Sequence, residues 1–366
     1  MNQRQWLPTG YLFLLLAGYL ALLPLQAGAV TLKEMAAGLQ LDPDQVSVSG
    51  LSSGAFMANQ LHVAHSSRIM GAGIMAGGPY RCAAGHYPGS WLGLPGLYTA
   101  TVVCSRTAPG ANLVPAPLPD VAFSVDETRR LAGEERIDDP AHLARSRVWL
   151  FSGTRDQTVP APIVDTLEQY YRSFTAPTAI ARLRDLPAGH AMITTDYGSA
   201  CAVSAPPYVN DCDFDAAGSL LGHLYGPLQP KGETDAAALF TFRQDDFFSA
   251  RDNRVSMHRH AHAYLPAACR RGETCGLHIA LHGCSQSEDF IGDAFYAHAG
   301  YNAWAETNHL VILYPQAKAS GWWSNPQGCW DWWGYSGEDY ATRDGRQIKA
   351  VMRMVDVLLG RDAGAE

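Results

Sequence analysis

The stretch Gly50-Leu51-Ser52-Ser53-Gly54 constrains the fold more than any other part of the sequence. An alternating run at residues 46–49 precedes it and a helix-like run at residues 55–61 follows, which predicts a strand, a tight turn and a helix. Glycine on each side of the serine tolerates the close backbone approach that such a turn requires. A serine held there becomes a nucleophile when a base removes its proton. Taken alone, the pentapeptide fits a glycine-rich loop with locally bonded serines equally well.

Size and charge limit the class of protein. The chain has 366 residues, of which 47% are hydrophobic and 17% charged, so it can bury a large core. This length suits one large α/β domain or two smaller ones. The formal net charge of -8 and the lack of a polybasic run argue against nucleic acid as a partner.

Residues 1–29 have the pattern of a signal peptide. Arg4 supplies a positive charge, residues 11–25 are apolar, and Ala27-Gly28-Ala29 has the small-x-small form of a cleavage site. The alternative is an uncleaved anchor, but the apolar run is short for a bilayer span. We therefore expect a mature protein of residues 30–366 with no membrane span, secreted to the medium or the periplasm.

Eight cysteines fit an exported, oxidising environment. Their number is even and no C-x2-C pair occurs, which favours disulfides over zinc. The natural pairs by sequence proximity, and the last pair by elimination, are Cys82–Cys104, Cys201–Cys212, Cys269–Cys275 and Cys284–Cys329.

Two candidate catalytic residues come after predicted strands. Residues 147–153 predict a strand leading into Asp156, and residues 179–183 predict one leading into His190. Sites in open parallel α/β sheets form at the carboxyl ends of the strands. Ser52, Asp156 and His190 follow the Ser…Asp…His order of α/β hydrolases, which predicts a catalytic triad.

Each partner of the serine has a simpler interpretation. Asp156 could be an ordinary turn aspartate, and Asp185, five residues before His190, is a rival for the acid. His190 could be a structural histidine in a loop. The turn at Ser52 and the ordered strand ends favour the triad.

A buried strand at residues 277–281 ends in His282-Gly283-Cys284. In the hydrolase fold, a His-Gly element after an early strand supplies the second oxyanion amide. Here the two donors would be the amides of Ser53 and Cys284. This element normally precedes the nucleophile, whereas in this chain it lies far downstream.

The elements after His282 are those expected upstream of a nucleophile strand. Residues 293–308 predict an amphipathic helix, residues 310–314 a buried strand and residues 348–359 a last helix. Joining that helix to the strand before Ser52 restores the usual order, and permutation is tolerated where the original ends lie close together. We predict one circularly permuted α/β-hydrolase domain with a mostly parallel central sheet and helices on both faces. The alternative is two separate domains.

Five of the nine tryptophans fall within residues 322–333. Their spacing is not helical, and a loop that presents aromatic surface suits an apolar polymer or acyl chain. The alternative is packing around a disulfide. We predict substrate contacts at Trp323, Trp330 and Trp332.

These segments resemble the catalytic domain of the extracellular poly(3-hydroxybutyrate) depolymerases, in its circularly permuted (type 2) form. The matching segments are residues 50–57, 62–67, 76–80, 153–156, 189–190, 210–218, 281–284 and 328–333.

The resemblance implies Ser52 as nucleophile, His190 as base and Asp156 as its orienter, with the Ser53 and Cys284 amides as oxyanion donors. It implies a serine esterase that cleaves poly(3-hydroxybutyrate), related short-chain polyhydroxyalkanoates or their oligomers through an acyl-enzyme. No metal or organic cofactor is needed for this chemistry, and we expect a monomer. Many such enzymes carry a C-terminal substrate-binding domain, which we do not expect here.

Two alternatives to this function stay open. One is a secreted feruloyl or acetyl esterase that acts on polysaccharide, and the other is a catalytically silent, hydrolase-like binding protein.

Overall fold

The computed structural model describes residues 1, 31–87, 95–113, 115–249, 251–321 and 324–361. The expected signal peptide lies outside these ranges. No helix within them is long and apolar enough to cross a bilayer.

The strands are β1 (Gln40–Leu51), β2 (Gly71–Met75), β3 (Arg147–Phe151), β4 (Ile180–Leu183), β5 (Met192–Thr194), β6 (Ser199–Ala200), β7 (Val209–Asp211), β8 (Leu239–Arg243), β9 (His260–Tyr264), β10 (Thr274–Leu281) and β11 (Leu310–Tyr314). The α-helices are α1 (Leu32–Ala36), α2 (Ser53–Ala64), α3 (Pro95–Tyr98), α4 (Val121–Gly133), α5 (Ala161–Arg172), α6 (Ala216–Tyr225), α7 (Ala267–Arg270), α8 (Glu288–Ile291), α9 (Ala294–His298), α10 (Tyr301–Thr307) and α11 (Arg346–Leu358).

One large sheet joins both halves of the chain, in the order β4-β3-β2-β1-β10-β11-β9-β8. The strands from β4 to β11 in that order pair in parallel, and β9 is antiparallel to its neighbours. The strands can be renumbered from β8, so that β8 to β11 become strands 1–4 and β1 to β4 become strands 5–8. Their order across the sheet is then 1-2-4-3-5-6-7-8. Cys284 then follows the third strand, where the hydrolase fold places its second oxyanion donor. This is the permuted α/β-hydrolase topology that the sequence predicts.

The central strands are buried on both faces, as parallel strands covered by helices should be. Every residue of β2 is buried, and β10 is buried beyond its first residue. A Cβ on Gly73 would lie 2.1 Å from the Leu220 side chain, so this glycine lets α6 pack directly on the sheet.

The first and last described helices are neighbours. Thr31 caps α1 in a capping box with Glu34, and α1 packs against α11. The chain therefore enters β1 beside its last helix, which is the proximity that a permuted connection needs.

The structure differs from the sequence prediction in three regions, one of which is the small sheet β5-β7-β6 that the sequence analysis missed. The helix predicted at residues 293–308 is divided into α9 and α10, because Gly300 between them has a left-handed conformation with φ 92°. The sequence analysis missed β8, an edge strand whose residues are mostly half-buried and show no clean alternation.

Two buried histidines connect separate segments of the core through hydrogen bonds. His62 Nε2 lies 2.9 Å from Ser146 Oγ and its Nδ1 lies 3.1 Å from the Tyr171 hydroxyl. His278 lies between the hydroxyls of Ser47 and Ser49, each 2.7 Å from one ring nitrogen. Burial lowers the pKa of both histidines to about 3, so both are neutral at pH 7.

This burial makes the fold sensitive to acid. In the unfolded chain these histidines bind a proton near pH 6.5, whereas in the fold they stay neutral until about pH 3. The fold therefore has its full stability with respect to these two histidines above pH 6.5, and it loses stability as the pH falls below that value. Between pH 7 and pH 5 we expect His62 and His278 each to lower the free energy of unfolding by about 2 kcal/mol.

Urea unfolding at the two pH values measures this loss. The variant H142A, which removes an exposed histidine, should show the same pH dependence as the parent chain. Equal stability at pH 7 and pH 5 would contradict the prediction.

Candidate active site

Ser52 occupies a strained turn between β1 and α2. Its backbone has φ 57° and ψ -120°, a conformation that costs an L-residue about 1–3 kcal/mol. The Ser52 amide donates to the Met75 carbonyl at 3.0 Å, and its carbonyl accepts from the amides of Ala55 and Phe56. Strand pairing on one side and the helix start on the other therefore hold this strained turn in place.

The two glycines of the pentapeptide are required by packing. A Cβ on Gly50 would lie 2.2 Å from the Gly54 carbonyl oxygen. A Cβ on Gly54 would lie 2.4 Å from the carbonyl oxygens of Leu281 and His282 at the end of β10. Glycine at these positions lets the turn press against the neighbouring strand, which brings Ser52 next to the His-Gly-Cys element.

Asp156 and His190 form a buried pair. The Asp156 Oδ2 lies 2.7 Å from His190 Nδ1, with side-chain exposures of 1% and 8%. Asp156 Oδ1 accepts from the amides of Thr158 and Val159 at 2.8 and 2.9 Å, which stabilises a carboxylate in this buried position. Asp185, the rival acid, is exposed. The structure thus pairs the histidine with Asp156.

The loop that carries His190 is fixed through its backbone. The His190 amide donates to Ser204 Oγ at 2.8 Å, and the Gly189 amide donates to the Cys201 carbonyl at 2.8 Å. In the described part of the chain, His190 Nε2 has no hydrogen-bond partner. With Nδ1 donating to Asp156, Nε2 is the nitrogen that can accept a proton.

Hydrogen bonds connect this loop to the turn at Ser52. The Tyr208 carbonyl accepts from the Met192 amide and from Gln286 Nε2, each at 2.8 Å. Gln286 Oε1 in turn accepts from the Gly283 amide at 2.7 Å. A Cβ on Gly283 would lie 3.4 Å from that of Ser52. The loops that carry the serine, the histidine and the His-Gly-Cys element are therefore held as one unit.

Two backbone amides are available beside Ser52. Ser53 is the first residue of α2, so its amide has no acceptor within the helix. Within the described ranges, neither this amide nor that of Cys284 donates to a protein acceptor. Both residues flank the serine, as an oxyanion hole requires.

His282 has a structural role. Its Nε2 accepts from the Ala317 amide at 3.0 Å, so Nδ1 carries the proton and donates to the Gly283 carbonyl at 2.7 Å. Burial lowers the pKa of His282 to about 4, which keeps the ring neutral and preserves these bonds. The ring thereby sets the backbone orientation ahead of Cys284.

The predicted disulfides are confirmed: Cys82–Cys104, Cys201–Cys212, Cys269–Cys275 and Cys284–Cys329. The last pair joins the His-Gly-Cys element to residues 325–336, which we call the tryptophan loop. The Ser285 amide also donates to the Gln327 carbonyl at 2.6 Å. Covalent and hydrogen bonds thus place the tryptophan loop beside the site.

Asp331 organises the tryptophan loop from within. Its carboxylate accepts from four successive backbone amides, those of residues 333–336, at 2.7–3.2 Å. Burial raises the pKa of this carboxyl, and hydrogen bonds from the Ser336 side chain and from the amides of Ser336, Gly334 and Trp333 oppose that rise. Gln60 on α2 donates to the Asp331 carbonyl at 2.9 Å, and the Trp330 amide donates to Ser53 Oγ at 3.3 Å. The loop is therefore attached to the same helix that begins at the serine.

A cavity of about 290 Å³ opens at Ser52. Cys284 and the tryptophan loop form part of its wall. Val159, whose amide donates to Asp156, forms another part. Phe56 and Trp332 stack within this wall with ring centroids 4.1 Å apart. The cavity is therefore largely apolar and adjoins the candidate nucleophile.

The three predicted tryptophan contacts have different positions. Trp332 lines the cavity, and its contact with substrate stays a prediction. Trp330 is fully buried, with its ring 5.5 Å from His282 and away from the cavity wall, so it packs the core and is not retained as a substrate contact. Trp323 lies outside the described residues.

Among the aromatic residues of the cavity wall, the sequence analysis did not name Phe56 and Trp333. Phe56 lies four residues after Ser52, which on a helix is the same face, so the spacing could have indicated it. No periodicity in the tryptophan loop singles out Trp333.

No family model matches the chain. Curated relatives do: a poly(3-hydroxybutyrate) depolymerase of Delftia acidovorans is 39% identical over 323 residues, which are 87% of this chain and 60% of that protein. A polyhydroxybutyrate depolymerase of Talaromyces funiculosus is 34% identical over 86% of this chain and 89% of that protein. The chain thus spans about 60% of the length of the first relative and most of the second.

Solved structures agree with these relatives. The crystal structure of PHB depolymerase from Penicillium funiculosum superposes with a TM-score of 0.76 at 30% identity, over 88% of this chain and 98% of that one. A serine-to-alanine variant of a PHB depolymerase in complex with an R3HB trimer superposes equally well, at 31% identity.

Replacing Asp331 tests how the tryptophan loop is held. The variant D331A leaves four amides without their acceptor, so we expect the free energy of unfolding to fall by about 3 kcal/mol or more. Urea unfolding measures this change. D344A removes an exposed carboxylate that pairs with Lys349, and it should change stability by less than about 1 kcal/mol. Equal effects of the two variants would contradict this role of Asp331.

Proposed function

Because this chain belongs to the poly(3-hydroxybutyrate) depolymerase family, we propose that it is a secreted serine esterase that hydrolyses poly(3-hydroxybutyrate), related short-chain polyhydroxyalkanoates and their oligomers. The observation that carries this proposal is the buried hydrogen bond of 2.7 Å between His190 and Asp156, in a loop that hydrogen bonds through Gln286 connect to the strained turn of Ser52.

In the proposed first half-reaction, His190 Nε2 takes the proton of Ser52 as the hydroxyl attacks the ester carbonyl. Asp156 holds Nδ1 protonated and stabilises the imidazolium that forms. The amides of Ser53 and Cys284 donate to the oxyanion, each contributing about 3 kcal/mol to transition-state stabilisation. Collapse of the intermediate, with the proton returned by His190, releases the alcohol end of the chain.

In the second half-reaction, His190 activates a water molecule that attacks the acyl-enzyme. The same two amides stabilise the second oxyanion, and the 3-hydroxyacyl product leaves Ser52. Neither half-reaction requires a metal or an organic cofactor.

The cavity supports a polyester as the substrate. Its aromatic wall, formed in part by Phe56, Trp332 and Trp333, provides apolar surface for an uncharged chain with small alkyl branches. The structure of a relative bound to an R3HB trimer shows that such a fold can hold a short oligomer of this kind.

We also propose that the protein acts outside the cytoplasm and as a monomer. Four disulfides support an oxidising compartment. All groups of the proposed site come from one chain, so no partner subunit is needed to complete it.

Ser52→Ala tests the nucleophile. We expect loss of hydrolysis of emulsified poly(3-hydroxybutyrate) and of p-nitrophenyl butyrate, with an unchanged melting temperature, because alanine adopts the turn as readily as serine. S173A, which changes an exposed serine after α5, should keep full activity. Turnover retained by S52A would refute the assignment.

Product assays on two substrates distinguish a polyester depolymerase from a polysaccharide esterase. Release of 3-hydroxybutyrate from the polyester but no ferulate from feruloylated sugar is expected, and the reverse outcome would favour a polysaccharide esterase. Labelling of the wild-type chain, but not of S52A, by a fluorophosphonate excludes a silent binding protein.

Asp156→Asn tests the acid. The amide keeps the shape but favours the wrong tautomer of His190, so kcat should fall about 10⁴-fold while KM changes little. D185N, which changes the exposed rival, should leave kcat unaffected. A comparable loss in D185N would contradict the pairing of Asp156 with His190.

A further inference from the structure

Three histidines alternate along the strand next to the edge of the large sheet. His258 lies just before β9, and His260 and His262 lie within it. Alternate residues of an extended strand face the same side, so the three imidazoles share one face of the sheet. Glu288, at the start of α8, lies opposite them.

The carboxylate of Glu288 bridges two of these rings. His258 Nδ1 lies 2.6 Å from Glu288 Oε1, and His262 Nε2 lies 2.7 Å from Oε2. His258 Nε2 also lies 3.5 Å from the Asp289 carboxylate. Two carboxylates therefore converge on one imidazole cluster.

His260 has no comparable partner. Its ring centroid lies 5.8 Å from that of His258, and within the described ranges neither ring nitrogen forms a hydrogen bond. One ligand atom each from His258, His260 and Glu288 lie within 4.8 Å of one another. The half-buried His260 imidazole therefore has a ring nitrogen available to bind a metal ion together with His258 and Glu288.

We propose that His258, His260 and Glu288 bind one zinc ion, with water as the fourth ligand. Two imidazoles and one carboxylate are a donor set that zinc takes in proteins. The side chains of His258 and Glu288 are 21% and 20% exposed, which leaves access for the ion and the water. With Asp289 nearby, the two negative charges favour a divalent cation. Small side-chain movements bring the three atoms to the shorter separations of a tetrahedral site.

The position of the cluster indicates what the ion would do. Glu288 begins the helix that follows the Cys284 loop, and the amides of Glu288 and His258 both donate to Gln316, at 3.1 and 2.8 Å. The ion would join this loop to the start of β9, so the site stabilises the fold and takes no part in ester cleavage. The inference is independent of the proposed function.

The sequence analysis expected no metal, and sequence gives little sign of this site. The histidines are spaced for a strand, and the carboxylate lies on a short helix far along the chain. Only the tertiary contact of Glu288 with His258 and His262 brings them together.

Metal binding to the mature chain tests the proposal. After dialysis against EDTA, calorimetric titration with ZnCl₂ should give one equivalent per chain, while MgCl₂ should give no binding. His260→Ala should weaken zinc binding at least about tenfold, because even loss of an outer partner of a metal ligand costs about 10–100-fold. Since His260 makes no side-chain hydrogen bond in the described structure, this variant should fold normally.

His309→Ala is the matched control. His309 Nε2 lies 2.9 Å from Glu273 Oε2 in an exposed pair. Among the described residues this pair has no third metal ligand, so loss of His309 should leave the stoichiometry and affinity unchanged. A second measurement needs no variant: Co²⁺ bound to the wild-type chain should give the visible absorption of a tetrahedral site. No zinc uptake by the wild type, equal affinity in H260A, or absence of the Co²⁺ bands would overturn the proposal.

Discussion

The close contact between the serine turn and the end of β10 is the constraint on which the rest of the site depends. Gly54 lies against the carbonyl oxygens of Leu281 and His282, and any side chain there would displace one of the two strands. Because β1 and β10 are adjacent and parallel, their carboxyl ends meet, and the amides of Ser53 and Cys284 come to flank Ser52. The proposed oxyanion hole would therefore be a consequence of strand order and of one missing Cβ.

Buried polar groups hold the surrounding loops in one arrangement. Asp331 orders the tryptophan loop through hydrogen bonds from four backbone amides, and His282 sets the backbone before Cys284. Gln286 connects that backbone to the loop of His190. Each group is satisfied only when its neighbours are in place, so losing one leaves others buried without partners. These bonds hold the site in one arrangement, and the burial of His282 adds to the acid sensitivity of the fold.

Much of the fold and site could be predicted from sequence because local rules govern them. Period-two and period-3.6 patterns locate the buried strands and the longer helices, and the G-x-S-x-G turn identifies Ser52. Asp156 and His190 follow because they come directly after strands of a parallel sheet. Where a rule was weak the prediction was wrong: an edge strand without alternation was missed, and a glycine in a left-handed conformation divided one predicted helix.

The sequence by itself determined the order of the elements, the strained turn, the triad candidates and the cysteine pairs, since each depends on local pattern or on counting. Only the tertiary structure decided which tryptophan faces the cavity. Trp330 and Trp332 are two residues apart in one loop, yet one packs on His282 in the core and the other stacks on Phe56 at the site. Such choices depend on contacts between distant segments, which no local pattern specifies. The histidine cluster beside Glu288 arises in the same way.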